Sequence, residues 1–141
     1  MKRYIKLLCL VMVFVMCLAI PAGAEEIAPY ASNYFGSYST YLSGETSTSF
    51  EVWFSVTALR RMEKIGVDYI NIQRSSDGNN WTTVKTYDSD DYPSLIATNT
   101  ASHAGHVTYS NKQSGYQYRA FVKFYAKDSS GSGVLGAYAY S

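Results

Sequence analysis

Between Ile70 and Val84 the chain reads Ile-Asn-Ile-Gln-Arg-Ser-Ser-Asp-Gly-Asn-Asn-Trp-Thr-Thr-Val, and no other stretch restricts the fold as much. Ile70 and Ile72 alternate with polar residues, so a strand here has one apolar face. Ser76-Asp77-Gly78-Asn79 supplies residues that tolerate the positive φ of a tight reversal. Trp81 and Val84 begin the return strand. Asp77, Gly78 and Trp81 therefore take structural roles in a β-hairpin, and a chain that reverses between two half-apolar strands builds antiparallel sheet.

The same two-residue period recurs elsewhere. Over Ser47–Ala58, Phe50, Val52, Phe54, Val56 and Ala58 fall on one face, with Glu51, Trp53, Ser55 and Thr57 on the other. Over Tyr116–Lys127, Tyr116, Tyr118, Ala120, Val122, Phe124 and Ala126 share a face. Further strands are predicted over Tyr34–Leu42, Ile65–Arg74, Trp81–Tyr87, His103–Tyr109 and Val134–Tyr140. Arg60–Lys64 reads as a charged connection, Asp88–Ser94 as an acidic loop, and Leu95–Ser102 as weakly patterned. No amphipathic helix appears. About seven short strands with turn signals between them predict one all-β domain over residues 34–141, an antiparallel β-sandwich with immunoglobulin-like connections.

The chain opens with Lys2, Arg3 and Lys6, followed by an uncharged run from Leu7 to Ile20 and then Pro21-Ala22-Gly23-Ala24. A basic head, an apolar run shorter than the about 20 residues of a membrane span and an Ala-x-Ala site predict a signal peptide over 1–24, cleaved after Ala24. The expected product is secreted and free of the membrane, with Glu25–Asn33 as an N-terminal arm. Both cysteines, Cys9 and Cys17, leave with the leader. The mature domain then relies on its core without a disulfide, a thiolate nucleophile or a cysteine metal site. The formal charge of +1 turns slightly acidic once the leader's lysines and arginine are gone. With no basic stripe, nucleic acid is not expected as a partner.

Two of these segments resemble a fibronectin type III domain. Ile70-x-Ile72-x-Arg74-Ser75-Ser76-Asp77-Gly78-x-x-Trp81-x-x-Val84 is similar to that fold's third strand, turn and following strand. Tyr116-x-Tyr118-Arg119-Ala120-x-Val122 is similar to its sixth strand. That likeness implies a tyrosine corner at Tyr116, whose hydroxyl would bond back to nearby backbone. Phe54-Ser55-Val56-Thr57-Ala58, Met62-x-Lys64-Ile65-Gly66-Val67, Ser76-Asp77-Gly78-x-x-Trp81 and Gly115–Ala126 together resemble an uncharacterised family of small secreted proteins from gut Firmicutes. The resemblance implies secretion and a single sandwich, and brings no catalytic residues with it.

Candidate sites are few. His103 and His106 stand three apart, which on a strand puts them on opposite faces, a poor arrangement for sharing one metal. Asp88, Asp90 and Asp91 offer oxygen ligands suited to Ca²⁺, but Pro93 and Asn99 stand where an EF-hand loop needs Gly and Glu. No metal site and no cofactor is expected. Nucleophile elbow, zinc-protease and phosphate-loop motifs are all missing, so no catalytic residue is assigned and the chain is not expected to be an enzyme. Asn80-Trp81-Thr82 fits a glycosylation sequon placed at the hairpin.

The remaining lead is aromatic. With the even positions of the sixth strand inward, its neighbours in an immunoglobulin-like sheet would expose Tyr69, Phe121, Tyr125, Tyr138 and Tyr140 on one face. Such tyrosines stack on sugar rings or anchor a protein partner at low entropy cost. As cross-strand pairs they would also stabilise the sheet. The expected function is a secreted, non-catalytic binding module for a glycan or protein. The alternatives are a structural protein that self-assembles through the Val134–Tyr140 edge strand, and a small glycan hydrolase using the Asp88–Asp91 loop.

Overall fold

The computed structural model describes residues 33–141; the expected leader and residues 25–32 of the expected arm lie outside them. The described chain is all-β, 72% strand, and forms one antiparallel sheet that curls into a half-barrel. Its strands are β1 (Phe35–Ser43), β2 (Phe50–Ser75), β3 (Thr82–Asp88), β4 (Ile96–Tyr109), β5 (Gln117–Asp128) and β6 (Gly131–Tyr140). A 3-10 turn at Pro93–Leu95 leads into β4.

The spine is β2, whose 26 residues absorb both the second and the third expected strands. Arg60–Lys64 is therefore a strand segment and not the charged connection the sequence suggests. Its charged side chains point to solvent while Met62 between them is fully buried, so a charge run here marks the outside of a bend. The weakly patterned residues up to Ser102 are likewise strand, the first half of β4. Six strands result among the described residues instead of about seven.

Pairing explains how one strand makes two layers. On one edge β2 pairs first with β1 (Glu51–Ala58) and then with β5 (Lys64–Ser75). On the other it pairs with β4 over Phe50–Gly66 and then with β3 over Tyr69–Arg74. A straight strand of this length would run about 85 Å. Yet the Phe50 ring, at its start, lies 5.4 Å from the ring of Tyr118, which is paired with Arg74 near its end. The strand is bent double. The register breaks between Thr57 and Met62 opposite β4 and between Val67 and Tyr69 opposite β5, where unpaired residues let a strand turn sharply.

The core lies between the layers. Phe50, Val52, Phe54 and Val56 from the first half of β2 face Val67, Ile70 and Ile72 from the second half and Tyr118, Ala120, Val122, Phe124 and Ala126 of β5. Apart from Val67, which the register break before Tyr69 puts out of phase with Ile70, these are the positions the two-residue period marks as apolar. The hydroxyl-to-backbone bond expected of Tyr116 belongs to Tyr118, which accepts the Gln113 N–H at 2.9 Å. Tyr116 precedes β5, is exposed, and sits under the Arg74 guanidinium at 4.5 Å. The reason is the two-residue period itself: both tyrosines are in phase with the core, but only Tyr118 lies inside the strand.

Two carboxylates organise turns. Asp128 accepts from the Ser130 hydroxyl and amide and from Arg60 at the bend of β2, at 2.5–2.8 Å. The Ser130 hydroxyl above all, then its amide and the Arg60 guanidinium, hold Asp128 down to about 2, against a desolvation that opposes them. Asp77 accepts the Asn79 and Asn80 backbone N–H groups, the Asn80 side chain and the Ser75 hydroxyl. The Asn80 amide foremost keeps it far below the usual carboxylate range. Because both values are depressed by folding, the stability they add is present above the unfolded pKa near 4 and is lost as pH falls toward about 2 and below. The melting temperature is expected to hold from pH 7 to about 5 and to drop below about 4, with a shallower drop in Asp128→Asn. Equal acid profiles for the two proteins would show that Asp128 carries none of this dependence.

Candidate binding face

The solvent side of β3, β2, β5 and β6 collects the aromatic side chains. Because even positions of β5 point inward, Arg119, Phe121, Lys123 and Tyr125 point out. The register sets Arg119 between Gln73 and Tyr140, Phe121 between Asn71 and Tyr138, and Lys123 between Tyr69 and Gly136. Rings then connect across strands: Tyr69 to Phe121 at 6.1 Å, Phe121 to Tyr138 at 5.0 Å and Tyr138 to Tyr140 at 6.0 Å. Four of the five sequence-predicted residues are thus brought together. Tyr125 faces the same side, opposite Gly66 and Val134, and no ring contact joins it to the others among the described residues.

Trp81 belongs to this face although the sequence suggests only a structural role for it, at the start of the hairpin's return strand. The Arg119 guanidinium lies 4.3 Å from the Trp81 ring centre and 4.5 Å from that of Tyr138, and its Nε donates to Gln73 Oε1 at 2.7 Å. The Asp77 turn sets where the chain re-enters the sheet, and so where Trp81 lands. No period in the sequence pairs Trp81 with Arg119, since they meet across β2. Phe121 is positioned by an absence: a Cβ on Gly136 would come within 2.5 Å of its ring, so the tip of the phenyl fills the space a side chain there would take. Lys123 stands 5.1 Å over Tyr69 and bonds Asp68 at 3.0 Å. The Asp68 bond raises the lysine pKa, so the cation persists and is locally balanced. Polar neighbours complete the face, with Thr86 donating to Asn71 at 2.8 Å.

The remaining candidates do not join the aromatic run, although Asp88 is paired with Tyr69 at its border. His103 pairs with Val56 on the inner side and bonds the Ser94 carbonyl oxygen at 2.8 Å; His106 pairs with Trp53 on the outer side. In the acidic loop Asp88 accepts the Asp90 amide at 3.0 Å, a turn bond. No group of three His, Cys, Asp or Glu poised for a metal occurs among the described residues. An open groove of about 380 Å³ lies between β3 and β4, lined by Val84, Lys85, Tyr87, Thr108 and Tyr109. Tyr87 bridges it by donating to the Thr108 carbonyl at 2.8 Å, and burial raises its pKa and so keeps that donor proton in place. Among the described residues no helix is long and apolar enough to cross a membrane.

Comparison with models of protein families, with curated proteins and with solved structures gave no match.

Proposed function

We propose that this chain is a secreted, non-catalytic binding module of the immunoglobulin-like, fibronectin type III class, engaging a glycan or protein through the outer face of β2, β5 and β6. The observation that carries the reading is the run Trp81–Arg119–Tyr138–Phe121–Tyr69, continued by Tyr140, which crosses the solvent side of the sheet as one connected surface. Rings held by neighbours in this way lose little freedom on binding, so their contact area converts efficiently into affinity. The flanking amides and hydroxyls of Asn71, Gln73, Thr83 and Thr86 add the hydrogen-bonding partners a sugar or a peptide backbone requires.

Strand partition supports the fold assignment. If β2 is divided at its bend, β1, its first half and β4 make one group, and β3, its second half, β5 and β6 make the other. A partition of seven segments into two antiparallel groups around one core resembles that of an immunoglobulin-like sandwich. The Tyr118 bond to Gln113 at the start of β5 supports it too. Secretion rests on the basic and apolar N-terminal segment of the sequence, and membership of the gut Firmicutes family on the motifs that resemble it.

A second reading, edge-strand self-assembly, is favoured by β6, which among the described residues ends the sheet with only β5 as its ladder partner. Sedimentation at two concentrations separates the two, since edge pairing raises the mass with concentration. The primary test is a glycan and peptidoglycan array probed with residues 25–141 and with Tyr69→Ala/Tyr140→Ala. Binding is expected to weaken about tenfold or more in the double variant while its circular dichroism is unchanged. Equal binding by both proteins would remove the face as the ligand site. No binding by either would refute the glycan form of the proposal.

A further inference from the structure

The opposite layer carries a second aromatic array that the sequence analysis does not single out. Tyr41, Trp53 and His106 occupy one row across β1, β2 and β4, each paired with the next. The Tyr41 and Trp53 rings are within 3° of parallel at 6.4 Å, and the Trp53 and His106 rings are 23° apart at 4.4 Å. All three lie on the solvent side, because Val52, Phe54 and Val56 take the inner positions of β2. Tyr41 is 53% exposed. The indole is locked: Trp53 Nε1 donates to Glu51 Oε2 at 2.8 Å, which satisfies its one polar atom and fixes its rotamer.

The surroundings define the ligand. Flanking rows on the same side hold Ser39, Ser55 and Ala104, then Ser43, Glu51 and Thr108. Apart from Glu51 these side chains are short, so the rings stand above them, and four of the six carry a hydroxyl. No lysine or arginine occurs in β1, in residues 51–57 of β2 or in residues 102–108 of β4. A phosphate or nucleic acid would find no counter-charge there. A stable protein partner needs about 800 Å² of contact with a well-filled apolar centre, which one row of three rings in a serine and threonine field does not supply. A neutral pyranose matches it. The C–H side of the sugar lies on a ring, while its hydroxyls reach Ser39, Ser55 and the Glu51 carboxylate.

We infer that Tyr41, Trp53 and His106 form a second binding platform, for an uncharged glycan, on the layer facing away from the Trp81 face. This site does not depend on the first. Where both are occupied, one molecule links two glycan chains.

The chain has two tryptophans, one on each face, so a single spectrum of the wild-type protein reports on both. The indole N–H signals are followed by 15N-correlated NMR during titration with chitohexaose, cellohexaose, xylohexaose and mannohexaose. The Trp53 signal is assigned by its loss in Trp53→Phe. At least one oligosaccharide is expected to move the Trp53 signal saturably, and Tyr41→Ala, at an exposed position, is expected to weaken that response about tenfold. A Trp53 signal unmoved by all four sugars overturns the inference. So does a response that Tyr41→Ala leaves intact. Movement of the Trp81 signal alone would uphold the first face and reject the second.

Discussion

Gly66→Ala is expected to cost at least about 3 kcal/mol and to lower the melting temperature by about 12 °C or more, among the largest effects of any single methyl group in this chain. Gly66 has φ 154°, which side chains rarely adopt. It also sits just past the bend, paired with Ile96 on one side and Tyr125 on the other. A Cβ there would stand 2.0 Å from the Leu95 carbonyl oxygen, and backbone cannot give way as a side-chain tip can. Relief requires moving the Pro93–Leu95 turn, which pulls Leu95, 1% exposed, out of the core and opens the Gly66–Ile96 pairing. A thermal melt by circular dichroism decides the matter. A variant that melts within a few degrees of wild type would mean that β4 does not approach β2 this closely.

Phe50→Ala is expected to cost about 3–5 kcal/mol by the cavity it leaves, and to do so by loosening the two layers. Phe50 is 1% exposed and packs against Tyr109 at 5.3 Å and Tyr118 at 5.4 Å, which are themselves 5.9 Å apart. This triangle ties the beginning of β2 to β5 beside the end of β2, closing the fold in the strand. The useful contrast is Tyr118→Phe, which keeps the ring and loses only the bond from Gln113, a loss of about 1 kcal/mol. Urea unfolding of the two variants should show clearly separated midpoints. Similar midpoints would assign the clamp to the hydrogen bond and not to ring packing.

The two substitutions act on the feature that sequence reading treats least well. Period-two alternation identifies the inward residues of β5 and of the regular stretches 50–58 and 70–72 of β2, because burial there follows side-chain direction, which alternates along the chain until a register break shifts its phase. Charge has no such local meaning. Arg60, Arg61, Glu63 and Lys64 read as a connection, yet a strand bent around a core keeps an outer side wet enough for all four, with Met62 turned in. Whether a charged stretch is loop or strand is settled by β4 and β5, which supply its partners from far along the chain.

The candidate sites divide in the same way. The outward positions Tyr69, Phe121, Tyr125, Tyr138 and Tyr140 follow from alternation once β5 is placed between β2 and β6. That Tyr125 stands apart, that Trp81 joins the group through Arg119, and that Phe121 rests on Gly136 all depend on register between strands. So does the alignment of Tyr41, Trp53 and His106, three residues that no local pattern connects. By itself the sequence determined that this protein is antiparallel β, which side chains of its regularly alternating stretches face inward, and where the Asp77–Gly78 reversal falls. Only the tertiary structure decided that one strand would serve both layers and which rings would meet, because register and bending are set by partners distant in sequence.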